Sequence, residues 1–171
     1  MTIEFFFYMA AAIAIISSIK VVSSRHSVHA LLYLVLSLLA VAVCFYLMGA
    51  PFAAGLEVIV YAGAILVLFV FAVMMFGLTQ DETAHSPQAG GLINWLGPII
   101  LGGALLVILI AIINQSQLQQ HLTVNIIDAK QVGILLYGPY LLAVEIASFL
   151  LLAGLIAAYH YAKPDVLGGH L

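Results

Sequence analysis

From Phe52 to Gly77 the chain reads FAAGLEVIVYAGAILVLFVFAVMMFG, an apolar run broken by one carboxylate, Glu57, and one phenol, Tyr61. At ~1.5 Å per residue it makes a helix of roughly 39 Å, longer than the ~30 Å hydrocarbon core of a bilayer. It is therefore read as a membrane span, tilted or with its ends among the headgroups. About fourteen Leu, Ile, Val and Phe at roughly −0.3 to −0.6 kcal/mol each favour insertion by around −6 kcal/mol. Halved for off-centre positions, about −3 kcal/mol remains, and a carboxylate near one end costs less than the ~2.5–3.5 kcal/mol of a central charge. The helix inserts with Glu57 in it. Four residues apart, Glu57 and Tyr61 project from one face of an α-helix. Ala62-Gly63-Ala64 then removes side-chain bulk beside them, as close helix packing requires. Gly63 also weakens an α-helix by ~1 kcal/mol relative to Ala, which eases local rearrangement.

The rest of the chain has the same character. Of 171 residues, 65% are hydrophobic and 6% charged, too few charges to coat a water-soluble core. A formal net charge of −3 with scattered charges leaves no basic face for nucleic acid. Bounding the apolar runs by charges, Pro and Gly gives an all-α integral membrane protein, a single membrane domain over 1–171. It is a bundle of five transmembrane helices at about 3–22, 29–48, 52–77, 95–113 and 139–161. The N-terminal run carries Glu4 and no basic region before it, so it is read as a first span and not a cleaved signal. Trp95 is placed as an interfacial anchor, with Pro98 in the first turn of span four. The run 132–161 is too long for one span, and Gly138-Pro139 is where it divides, leaving 132–137 as an interfacial lead-in or kinked extra turn. Residues 79–91 and 114–131 are polar loops.

Lys20 and Arg25 in the first loop and Lys163 in the tail lie on one side of a five-span chain, with Lys130 opposite. The positive-inside rule then puts the N-terminus outside and the C-terminus in the cytoplasm.

Glu145, in PYLLAVEIASFLLLAGL, is the second intramembrane carboxylate. It lies ~9 Å into its helix from Pro139, as Glu57 lies ~8 Å from Phe52. With an outside N-terminus both fall at similar depth in the outer half of the membrane. Paired intramembrane carboxylates serve proton relays, and each also reads as a hydrogen-bonding glue between helices. Tyr61 needs a partner for its hydroxyl when buried, through a structural bond or by organising water and protons. His26, His29 and His160 sit at span ends and His85, His121 and His170 in loops or tail, which offers no facing pair for a haem. Cys44 is a lone core filler. No metal-ligand pair, phosphate loop or nucleophile triad appears, so a catalytic centre is not expected on this chain.

Three runs carry a family resemblance: SVHALLYLVLSLLA (27–40), LEVIVYAGAILVLFVFAVMM (56–75) and GPYLLAVEIASFLLLAGLIAAY (138–159). With the five-span layout they resemble the subunit J, or chain 6, family of bacterial proton-pumping NADH:quinone oxidoreductase, respiratory complex I. The resemblance implies a chain without a redox centre, packed in the membrane arm of the bacterial inner membrane between quinone-proximal and antiporter-like subunits. NADH, FMN, iron–sulfur clusters and quinone belong elsewhere in the implied complex. It further implies a π-bulge in the third helix around Tyr61, whose rewinding opens and closes a hydrated path. The family's third-helix motif falls on Glu57, Tyr61, Gly63 and Val67. Three other readings stand beside it: a related subunit of a membrane hydrogenase or multisubunit cation/proton antiporter, a stand-alone small channel or transporter, and a purely structural spacer.

Overall fold

The computed structural model describes residues 3–24, 26–76, 92–114 and 127–162, without the side chains of 92–94. The loop at 79–91, most of that at 114–131, Arg25, Lys163, His85, His121 and His170 lie outside the described residues. All regular structure among the described residues is helical. The helices are α1 (Ile3–Ser23), α2 (Ser27–Leu47), α3 (Pro51–Met75), α4 (Leu92–Asn114), α5 (Ala129–Leu136) and α6 (Leu141–Ala162). Five of them, all but α5, contain a stretch long and apolar enough to cross a membrane, so the protein is an all-α, multi-pass membrane protein. The chain divides into two compact units, Met1–Ile127 and Asp128–Leu171.

In the first unit α2 is the hub, packed against α1, α3 and α4. Its core joins Phe6 and Ile13 of α1, Ala40 and Leu47 of α2, and Leu105 and Ile108 of α4. Between helices in lipid there is no hydrophobic driving force, so close packing and interhelical hydrogen bonds hold such a unit. Both are present. Ser37 Oγ donates to the carbonyl of Ala14 at 3.1 Å, tying α2 to α1. On α4, Gly97 lies against the Tyr33 ring so closely that an added Cβ would overlap the hydroxyl. At Gly102 a Cβ would stand 3.3 Å from Leu36 Cδ2. These contacts, with His29 beside Trp95, run α2 and α4 in the same direction.

The turn from α2 to α3 follows from Gly49-Ala50-Pro51. Gly49 takes φ 84°, the left-handed conformation that costs glycine no Cβ clash. Gly49 N–H donates to Tyr46 and Ala50 N–H to Phe45, the paired bonds of a Schellman cap. Pro51 then starts α3, where its missing donor is no loss. Far along the chain, after α4, Ile127 N–H donates to the carbonyl of Gly49 at 3.0 Å. α4 begins at Leu92, so Pro98 lies inside the helix, beyond the first turn, and removes the bond to the carbonyl four residues back.

In the second unit Asp128 caps α5, its Oδ1 accepting from Ala129 N–H at 2.8 Å. The chain turns over 137–140, where a Cβ on Gly138 would meet the carbonyl of Ile134 at 2.8 Å. Residues 129–136 thus form a helix of their own before the turn, and α6 starts beyond Pro139.

Candidate functional site

α3 is not one uniform helix. It winds as α over Pro51–Leu56, as π over the nine residues Glu57–Ile65, and as α again over Leu66–Met75. At the end of the π segment Leu66 N–H donates to Tyr61, five residues back. No side chain in EVIVYAGAI forces this, but one residue accommodates it. A Cβ on Gly63 would stand 3.2 Å from the carbonyl of Val58, also five residues back, so any larger residue crowds the acceptor side of a π turn.

The winding decides which residues face the rest of the unit. Ala54 and Leu66 are buried, while Glu57 and Ala62 are half-buried. The inward stripe therefore steps by three, five and four residues. Twelve residues of uninterrupted α-helix would turn Leu66 roughly 120° away from Ala54; the wider π turns take back most of that difference. Tyr61, which a straight α-helix sets in line with Glu57, is 51% exposed, and it is Ala62 that takes the inward position. Val67, one residue past the buried Leu66, is 59% exposed.

Glu57 and Tyr61 thus lie on the π segment, with Gly63 two residues beyond Tyr61 and Val67 just outside. The Glu57 carboxylate has no hydrogen-bond partner among the described residues. Glu145, in the second unit, is exposed one turn into α6, and Ser148 Oγ donates at 2.7 Å to its backbone carbonyl, not to its carboxylate. Among the described residues no three His, Cys, Asp or Glu side chains gather as a metal site.

Two features carried little readable signal in the sequence. Leu66, the pivot of the inward stripe, is one apolar residue among many. At the opposite end of α2, His29 meets Trp95 of α4 edge-on at 5.6 Å between ring centroids and lies tilted against His26 at 5.8 Å, with its Nε2 buried and without a hydrogen-bond partner. The only hint was that both His29 and Trp95 were expected at span ends.

Comparison with known proteins bears on these residues. Residues 17–160 match the family model described as NADH-ubiquinone/plastoquinone oxidoreductase chain 6. The NADH-quinone oxidoreductase subunit J of Pseudomonas aeruginosa is 48% identical over 167 residues, 95% of this chain and 98% of the relative. That of Escherichia coli K12 is 48% identical over 166 residues, 96% of this chain and 89% of the relative. The subunit J of Buchnera aphidicola from Schizaphis graminum is 42% identical, covering 94% and 98%.

Proposed function

We infer function from one premise: the chain belongs to the NADH-ubiquinone/plastoquinone oxidoreductase chain 6 family. It is a multi-pass membrane subunit of a proton-translocating NADH–quinone oxidoreductase and works with the other subunits of that complex. We propose that it couples quinone reduction to proton translocation through a change in the winding of α3. The π segment Glu57–Ile65 is the observation that carries this reading, since π turns within α-helices recur at functional sites.

In this mechanism the chain moves no electrons. NADH, FMN, iron–sulfur clusters and quinone act in other subunits, and no side chain here is assigned to hold them. Rewinding one turn from π to α rotates everything beyond it by about one residue, roughly 100°. Val67 and its neighbours on the exposed side are carried around the helix axis, and water between carboxylates of adjoining subunits is joined or broken. Glu57 and Tyr61 flank that path; Gly63 lets the backbone take either winding. Glu145 contributes a second carboxylate. Quinone-proximal and antiporter-like subunits are the neighbours on either side, with the N-terminus outside and the C-terminus cytoplasmic.

A cysteine pair joining position 67 to the adjacent helix of the assembled complex tests the rotation. Oxidation should suppress pumping or quinone-linked turnover, and reduction should restore it. Full coupled activity with the crosslink complete would make Tyr61 and Gly63 static packing.

A further inference from the structure

Between α5 and α6 the backbone keeps winding, in unequal steps. Tyr137 N–H donates to the carbonyl of Gly133, four residues back, at 3.0 Å. Tyr140 N–H donates to Leu135, five back, at 3.1 Å, and Leu141 N–H to Gly138, three back, at 3.2 Å. The regular four-residue step resumes with Val144 N–H donating to Tyr140 at 3.2 Å. The cause is Pro139. It has no N–H to give the Leu135 carbonyl, and the next donor along, Tyr140, takes that acceptor instead. Gly138 fits because a Cβ there would stand 2.8 Å from the carbonyl oxygen of Ile134, a backbone atom that cannot swing aside.

This joint is thinly held. Among the described residues one backbone hydrogen bond, from Tyr140 to Leu135, crosses the peptide between Tyr137 and Gly138. An unbroken α-helix carries about four across any such cut. Packing within the chain does not make up the loss, since Tyr137 and Tyr140 are 78% and 57% exposed. Few buried contacts and few bridging hydrogen bonds are the local conditions for easy bending.

The joint also differs in kind from the wide turns of α3. Every residue of Glu57–Ile65 has an N–H, so that segment can close into an α ladder without losing a donor. Pro139 can never supply the missing bond, so the joint bends and does not rewind. A bend of ~20°, the scale of a sharp helix kink, moves a point ~9 Å beyond Pro139 sideways by roughly 3 Å. Glu145 lies at that point. A shift of that size makes or breaks a hydrogen bond. The Glu145 carboxylate takes no hydrogen bond from Ser148, which donates to its backbone carbonyl.

We propose that Tyr137–Tyr140 is a hinge on which α6 tilts against α5, carrying the Glu145 carboxylate into and out of hydrogen-bonding reach of an adjoining subunit. Gly138 and Pro139 build the hinge: the first lets the backbone pass the Ile134 carbonyl, the second keeps the ladder from closing. The proposal rests on the chain's place in the complex and is independent of the rewinding of α3.

The test is cryo-electron microscopy of the assembled complex in lipid nanodiscs, oxidised and during turnover with NADH and a quinone. The angle between the axes of α5 and α6 should differ by about 15° or more between particle classes, with each helix straight on its own side of the joint. One angle in every class overturns the proposal. Pro139→Ala restores the N–H and should give a single straight helix in all classes, with protons pumped per NADH at least twofold lower. Continued bending of Pro139→Ala, or full pumping by it with α5 and α6 locked straight, overturns the proposal as well. If Pro139→Ala does not assemble, the wild-type angles decide alone. The winding of α3 is read in the same maps, so bending of the joint with α3 unchanged, or the converse, separates this hinge from the coupling assigned to α3.

Discussion

Glu57 and Gly97 are the two residues at which the chemistry can be separated from the packing. Glu57→Gln keeps the size and hydrogen bonding of the side chain and removes its titratable proton. Pumping coupled to NADH oxidation should fall by more than half while the complex still assembles, measured as proton uptake per NADH in vesicles. Unchanged pumping would reduce Glu57 to an interhelical contact worth about 1–2 kcal/mol. Gly97 tests packing alone. A Cβ there would overlap the Tyr33 hydroxyl, so Gly97→Ala should lower the yield of assembled complex, whereas Gly103→Ala, with nothing within 4 Å, should not. Equal yields would mean that α2 and α4 can separate without cost. Ser37→Ala, which removes the donor to Ala14, should cost about 1 kcal/mol of stability in thermal dissociation.

Within α3, Leu66 is 6% exposed while the next two residues, Val67 and Leu68, are 59% and 67% exposed. Leu66→Ala should therefore loosen the unit and Leu68→Ala should not, read as protease sensitivity of the complex; equal sensitivity would deny Leu66 its role. That contrast marks what was legible in the sequence. An apolar run declares that it crosses the membrane, because its length and composition meet the thickness of the bilayer. The helical class and the five spans follow from that. Which side of the run packs is not legible, since Leu, Val and Leu in succession are equally at home against lipid or protein. The π winding was implied by resemblance and not by residue chemistry: α and π turns differ by one step in the hydrogen-bond ladder, and no residue type in EVIVYAGAI demands either. Gly63 only permits it. The offset of Tyr61 from Glu57 is a consequence of that winding, and an α-helical reading of their four-residue spacing puts them in line. Short α5 was half legible: Gly138-Pro139 separates 132–137 from the last span, but the start at Ala129 was not readable, because its cap, Asp128, sits in a stretch that reads as loop.

At the scale of the whole molecule, α3 and α6 present long rows of exposed Leu, Val, Phe and Ile together with Tyr61 and Glu145. Polar groups facing lipid are costly, so the chain should be stable only inside its complex, and a monodisperse chain purified alone at high yield would contradict this. Topology can be read independently. Ala50→Cys should be labelled by an impermeant maleimide from outside and His85→Cys only from the cytoplasmic side; the reverse pattern would invert the orientation. The central claim is that the extra residue in α3 is used, and deletion of Ile59 addresses it most directly. Ile59 is 69% exposed, and removing it shortens the five-residue step from Glu57 to Ala62 to four. An unbroken α-helix then keeps Ala54, Glu57, Ala62 and Leu66 on the inward side, with nothing left to rewind. In the assembled complex, proton pumping per NADH oxidised should collapse while assembly and NADH dehydrogenase activity with a soluble acceptor persist. Full pumping by an assembled complex with Ile59 deleted would show that the π segment is not the coupling element.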